Sequence, residues 1–315
     1  MLRYLGRRLL LAVPTLLIVS VLVFFLSQLL PGDIGRAVLG PYASRAQVAA
    51  FDRQHGFDRP RVGQYVHWLG GFVTGHWGQS VVQQEAVSQL LLTALGHSLQ
   101  LALYAVILFV PLSILLGLIA GFRAGSLLDQ SISVGGTVMS ALPDFVVGVL
   151  LILVFAVGLE WFPVSAQAAA TGGLAVKVSG LFLPALTLTL GLVGYVSRMT
   201  RAGTVTALGS PYVRTAVLKG LPRRRVVSAH VLRNSLLPTI TVVGTQVGYV
   251  VGGLVIVETL YNYPGFGEAM LSAALTHDVT TLETGTLLLA VISIVAVLIT
   301  DLLYTAFDPR VRRRP

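Results

Sequence analysis

No cysteine occurs anywhere in the 315-residue sequence, which excludes disulfides, thiolate nucleophiles and cysteine metal sites. Charge is scarce as well: 11% of residues are Asp, Glu, Lys or Arg, against about 25% in an ordinary soluble domain. Acid is scarcer than base, 13 residues against 22, while 55% of the chain is hydrophobic and the mean hydropathy is +0.81. These shortages exclude an ordinary soluble domain and point to an integral membrane protein. Two motifs are missing too. There is no G-x-x-x-x-G-K-[S/T] stretch, so the chain carries no phosphate loop for ATP. The six histidines show no H-E-x-x-H or similar spacing, so no metal site is expected.

What is abundant is long apolar sequence. Six runs stand out, at 9–30, 98–122, 135–158, 178–196, 236–257 and 284–306. Each approaches the roughly 20 residues that a helix needs to cross about 30 Å of hydrocarbon. They contain Val and Ile but do not alternate, so helices are favoured over strands and the fold class is all-α with six transmembrane helices. The first run is uncharged from Leu9 to Leu30, longer than the roughly 7–15 residues of a signal-peptide core, and reads as a retained helix. Lys and Arg are placed unevenly: 16 of the 22 fall in the N-terminus, the second and fourth connections and the tail. The loop from Glu258 to Glu283 has four acids and no base. By the positive-inside rule both termini are cytoplasmic. This bias accounts for most of the net charge of +9 without nucleic acid as a partner.

Two connections exceed a linker. In the outer loop, 31–97, Tyr65, Trp68 and Phe72 recur at i, i+3, i+7, one side of a helix that either packs or anchors at the interface, or meets a partner. The inner loop, 198–235, is basic and patterned. Ser210 reads as an N-cap with Pro211 at the first helical position. Val213, Ala216 and Val217 form a stripe, Gly220 a stop, and Pro222 starts a second short helix with Val226, Val227 and His230. The expectation is a compact helix-turn-helix shaped for a partner protein. The alternative is a polybasic segment held to anionic lipid, at about 1 kcal/mol per charge.

At these residues the chain resembles a known family. "YVRTAVLKG", "FFLSQLLPGD", "GFDRPRVGQYVHWLGGFVTGHWGQS", "WFPVSA", "LPALTLTL" and "VETLYNYPGFGEAML" are together similar to the permease subunits of binding-protein-dependent ABC importers. Within these, the likeness is to the first permease of the dipeptide/oligopeptide (nickel) branch. It implies the type I importer permease fold in a single domain over 1–315, in a bacterial or archaeal inner membrane. It also implies a second homologous permease, cytoplasmic ATPase domains that hold ATP and Mg, and an extracytoplasmic peptide-binding protein. Arg214, Thr215 and Ala216 occupy the E-A-A position of the family's coupling loop and Gly220 its glycine; Lys219 and Arg224 flank them. The form departs from the acidic consensus. The segment holding Glu258, Tyr261, Pro264 and Gly265 would be an outer gate or receptor contact, or else a solvated acidic loop with a Pro-Gly turn.

One residue stands apart from the resemblance. Asp144 lies midway along the third run, where an ionisable group costs at least about 2.5–3.5 kcal/mol unless it faces protein or water. It either lines the substrate path or is satisfied by free amides near Pro143 or by a partner permease. Gln246 and Tyr249 are weaker candidates for the path, among glycines that favour close helix packing. The expected function is therefore half of a peptide translocation path, without bond chemistry of its own. A nickel chelate is the nearest other cargo. An autonomous secondary transporter is a rival that would need more intramembrane acids.

Overall fold

The computed structural model describes residues 2–28, 36, 39–40, 42–56, 58 and 60–307. Side chains at 2–7, 9, 51–52, 54–55, 237–238, 241, 244–245, 247–252 and 299–307 fall outside that description. The elements in order are α1 (Leu2–Ser27), α2 (Arg45–His55), α3 (Arg61–Thr74), α4 (Val87–Phe122), α5 (Leu127–Ala141) and α6 (Asp144–Leu151). They continue with α7 (Gln167–Thr171), α8 (Leu174–Leu208), α9 (Pro211–Leu218), α10 (Arg223–Arg225), α11 (Arg233–Leu260), α12 (Phe266–Leu275) and α13 (Val279–Phe307). Among the described residues there is no strand, only a lone bridge between Gln79 and Ala86.

Among the described residues, four helices are long and apolar enough to cross a membrane, or five when α5 and α6 count as one bent span. At about 1.5 Å per residue, the 36-residue α4 and the 35-residue α8 run to about 54 and 52 Å. Both exceed the apolar runs that announced them; α4 begins at Val87 rather than at 98. The third run departs from a straight span. α5 and α6 meet at Leu142–Pro143 with a bend of 106°, and Leu142 is extended at φ −80°, ψ 136°. Proline disfavours helical backbone in the residue before it and has no N–H to continue the ladder, which favours a break here, although Pro111 and Pro184 stay inside α4 and α8. Beyond α6 the chain continues as a π-helical segment, Ile152–Gly158.

The chain divides into two compact units. In the unit spanning 97–264, α8 is the central element and has buried residues along most of its length. Contacts at matching intervals fix how its neighbours run. Gly117 of α4 lies under Thr200 and Gly121 lies under Thr204, four residues apart on both helices, so α4 and α8 are parallel. Asp129 of α5 meets Arg201 of α8, and Gly136 meets Gly194, seven residues down one helix and seven up the other. α5 is therefore antiparallel to α8. So is α11, where Thr239 meets Thr200 at 3.0 Å and Gly253 lies by Leu188. The alternation is the one expected of successive crossings. Glycine matters most at Gly136 and Gly194, where backbone meets backbone: a Cβ on Gly136 would sit 2.8 Å from the Gly194 Cα.

In the other unit, residues 1–96 and 265–315, the aromatic stripe of α3 is used for packing. Phe24 of α1 stands against Tyr65 and Trp68 at 5.4 and 5.9 Å between ring centroids. The Trp68 indole donates to Thr284 Oγ1 at 3.3 Å, and Phe72 stacks on Trp77. Buried acids here accept from hydroxyls: Ser27 donates to Glu283, and Ser80 and Thr281 to Asp278 at 2.5 and 2.7 Å.

Candidate functional site

Asp144 is the first residue of α6, with Pro143 at the N-cap. The amides of Val146 and Val147 both donate to the Pro143 carbonyl, at 2.9 and 3.2 Å. They are thus not spent on the carboxylate, and among the described residues no hydrogen bond or ion pair reaches it. Two glycines make room for it instead. A Cβ on Gly191 of α8 would lie 2.9 Å from Asp144 Oδ1, and one on Gly253 of α11 would lie 3.3 Å from Oδ2. The carboxylate faces a cavity of about 240 Å³ lined by Ser140, Leu142, Asp144, Leu188, Gly191, Leu192 and Gln246. Gln246 is 8% exposed. Asp144 and Gln246, more than 100 residues apart, thus share one cavity; the side chain of Tyr249 lies outside the described residues.

The segment from Glu258 to Pro264 turns Glu258, Tyr261 and Tyr263 inward and leaves Thr259 and Asn262 exposed. Glu258 and Tyr263 are fully buried and Tyr261 nearly so. Ser98 donates to Glu258 at 2.5 Å, and the Tyr261 hydroxyl lies 2.9 Å from that of Thr187 and donates to the Gly148 carbonyl at 3.2 Å. His97 Nδ1 donates to the Pro264 carbonyl at 2.8 Å, and the Tyr263 hydroxyl donates to the His97 carbonyl. Ala166, the last residue of "WFPVSA", donates its N–H to the Tyr261 carbonyl at 2.7 Å. Burial pushes the Tyr261 phenol up to about 12, and burial with the nearby Glu258 does the same to Tyr263. Both stay neutral donors. Glu258 is thus not a solvated acid. Gly265 is the buried N-cap residue of α12 in the other unit.

The inner loop folds as a helix-turn-helix. Pro211 is the first residue of α9. Gly220, at φ +72°, follows the C-cap. Its N–H donates to the Val217 carbonyl and that of Leu221 to Ala216, closing a Schellman turn that needs a left-handed residue. Three expectations change in detail. The Ser210 hydroxyl does not cap α9 but donates to the Ala207 carbonyl at 2.5 Å. Val217 is 59% exposed; the inward face is Val213 and Ala216, packed on Ala207, Val226 and Val231. Pro222 is the N-cap of α10 rather than its first residue, and the chain then runs as a π-helix, Val226–Leu232. Arg214, Thr215, Lys219, Gly220 and Arg224 are exposed, whereas Ala216 is part of the small core.

Residues 113–313 match the family described as the binding-protein-dependent transport system inner membrane component, and residues 1–102 match its N-terminal counterpart. The chain belongs to this family of transport permeases. It is 34% identical over 318 residues to the oligopeptide transport system permease protein AppB of Bacillus subtilis, covering 98% of both chains. It is 35% identical to the glutathione transport system permease protein GsiC of Escherichia coli over 315 residues, 99% of both. It is 32% identical to the probable peptide ABC transporter permease protein y4tP of Sinorhizobium fredii over 309 residues, 98% of this chain and 99% of that one.

Within this permease, the sequence alone did not single out several residues that build the site. Gly191 and Ser140 line the Asp144 cavity, and Gly253 lies beside the carboxylate. Glycines and serines are frequent in every span, and nothing in their spacing separates these three. Asp129 is a further such residue. It is buried and held by Arg201, with the Gly125 amide and the Ser133 hydroxyl also donating to it. A signal for it was present: Ser126 three residues before Asp129 is a helix start, and the Ser126 hydroxyl accepts from the Asp129 amide at 3.2 Å.

Proposed function

We propose that this permease forms half of the translocation path of an ATP-driven importer for di- and oligopeptides. The carrying observation is end-to-end similarity to permeases named for oligopeptide and glutathione transport, the latter a short peptide. The chain crosses the membrane six times with both termini cytoplasmic, which the Lys/Arg bias and the alternating helix directions around α8 support. It pairs with a second homologous permease and receives cargo from an extracytoplasmic binding protein. ATP and Mg are held by partner ATPase domains.

α9 and the turn at Gly220 form the docking piece for the ATPase. Their support is local: an internal core fixes the motif, while Tyr212, Val217 and Leu218 remain 43%, 59% and 79% exposed beside Arg214 and Lys219. A motif with its own small core that still leaves Tyr212, Val217 and Leu218 outward is shaped for a protein groove. The Glu258–Gly265 segment acts at the outer gate, where its hydrogen bonds join α4, α6 and α8 into one tightly held junction.

The test is reconstitution. Co-expressed with its second permease and ATPases, the chain should co-purify with the ATPase at near-stoichiometric levels. In proteoliposomes it should take up peptide only with ATP and binding protein. Uptake by the chain alone, or no bound ATPase, would sink the proposal. Gly220→Trp should block ATPase assembly while leaving membrane insertion intact, because the left-handed turn is lost and a ring stands at the docking face.

A further inference from the structure

We infer that the cavity at Asp144 is a subsite for a cationic nitrogen of the transported molecule: the ammonium of a free peptide N-terminus or the charged end of a basic side chain. The inference rests on the peptide-importer reading above and adds the chemistry by which the permease itself would read its cargo.

Size comes first. A volume of about 240 Å³ falls below the roughly 300–1,000 Å³ of a pocket for a whole small ligand. It suits one end of a larger molecule. Polarity comes second. The lining has one carboxylate, one hydroxyl and one amide, from Asp144, Ser140 and Gln246, set among Leu142, Leu188 and Leu192. No Lys, Arg or His is among the described lining residues. An ammonium offers three donors and no acceptor, and these three side chains offer the acceptors it needs.

The third argument is what the carboxylate and the amide do not do. Asp144 has no hydrogen bond or ion pair among the described residues, although the amides of its own first turn are near. Gln246, more than nine-tenths buried, lines the same cavity, with no hydrogen-bond partner among the described residues. Asp144 is half-buried and opens to the cavity that Gln246 also lines, so two polar groups without partners among the described residues face one space, and a ligand there would complete the set. Gly191 and Gly253 support this, since a side chain at Gly191 would displace Oδ1. The backbone clears space around the carboxylate and supplies no donor to neutralise it. Asp129, on the neighbouring helix, shows the other outcome when this chain means an acid to be structural: it has a guanidinium.

The test uses the complete permease–ATPase complex in nanodiscs, with the binding protein omitted so that its own selectivity does not enter. Scintillation-proximity binding is measured for trialanine, N-acetyl-trialanine and N-acetyl-Ala-Lys-Ala. Wild type should bind the cationic peptides more tightly than N-acetyl-trialanine. Asp144→Asn should weaken the cationic peptides about tenfold and leave N-acetyl-trialanine unchanged, and Asp144→Glu should recover most of the loss. Weakening of trialanine alone assigns the site to the N-terminal ammonium; weakening of the lysine peptide alone assigns it to a basic side chain. If the Asn variant does not assemble, Gly191→Ala keeps the charge but crowds it. That variant should weaken only the cationic peptides, about threefold. Equal weakening of all three peptides, no weakening, or no binding by wild type overturns the inference. Trialanine uptake with binding protein present separates the two levels. Uptake without the charge preference removes the subsite and leaves the importer. No uptake by an ATP-hydrolysing complex removes both.

Discussion

Asp129 and Asp144 lie 15 residues apart on consecutive helices, and both stand against α8, yet they are treated in opposite ways. Asp129 is 2% exposed and receives the Arg201 guanidinium through two nitrogens, with Gly125 N–H and Ser133 Oγ completing its shell. Asp144 is partly exposed to a cavity and receives no hydrogen bond or ion pair among the described residues. The first acid belongs to the framework and the second to its opening. Breaking a buried pair by removing one partner is strongly destabilising, whereas an acid already bathed by a cavity has little left to lose. Burial alone would have ranked them in the wrong order for function.

That contrast can be broken at several points. The largest effect is expected between the two acids, where Gly136 and Gly194 touch through backbone. Gly194→Val would drive a side chain into the Gly136 carbonyl, which neither helix can yield, at a cost of about 3 kcal/mol or more. The expected outcome is loss of assembled permease by size-exclusion chromatography; a normal yield would show that α5 and α8 are not locked together. Next comes Arg201→Met, which strands the Asp129 carboxylate. It should lower the melting temperature of the purified complex, and adding Asp129→Asn should recover part of the loss. Additive losses in that double-mutant cycle would mean that the pair is not coupled.

A smaller effect is expected for Tyr261→Phe, which removes a hydroxyl shared with Thr187 and Gly148. The loss should be about 1 kcal/mol, read as a lower denaturation midpoint with α-helical content unchanged by circular dichroism. The smallest is Asp144→Asn, which should leave the melting temperature within about 2 °C of the parent. A drop comparable to that of Arg201→Met would place Asp144 in the framework and erase the distinction.

The sequence made some of this visible and hid the rest, for physical reasons. Membrane character, helix type and the helix-turn-helix with its Gly220 stop were legible because they depend on local composition and on residues with particular backbone preferences. Pro143 also told its story locally, yet the size of the bend depends on what α6 packs against. Asp144 was conspicuous as an acid in an apolar run, and Gln246 as an amide in another. That they line one cavity depends on α8 and α11 running in opposite directions, which no local pattern records. The buried hydrogen bonds of Tyr261 and Tyr263 were invisible for the same reason, although they lie in an apparent acidic loop. An Asp near a loop is ordinary until its arginine, 72 residues later, is placed beside it.

Gly191 stands at the midpoint of α8, which runs from Leu174 to Leu208. A rod that rocks about its centre hardly moves there, while its ends swing. Arg201 is ten residues from that centre, about 15 Å along the axis, so a rock of about 10° would carry it roughly 2.6 Å. Such a displacement would part the guanidinium from Asp129 unless α5 travelled with α8. If α8 rocks about its centre, the ion pair and the glycine contact would act as a clamp on its arm and the cavity would sit at its fulcrum. Motion applied at the end nearest α9 would then turn the α5–α8 pair as one body and leave the Asp144 cavity as its still point.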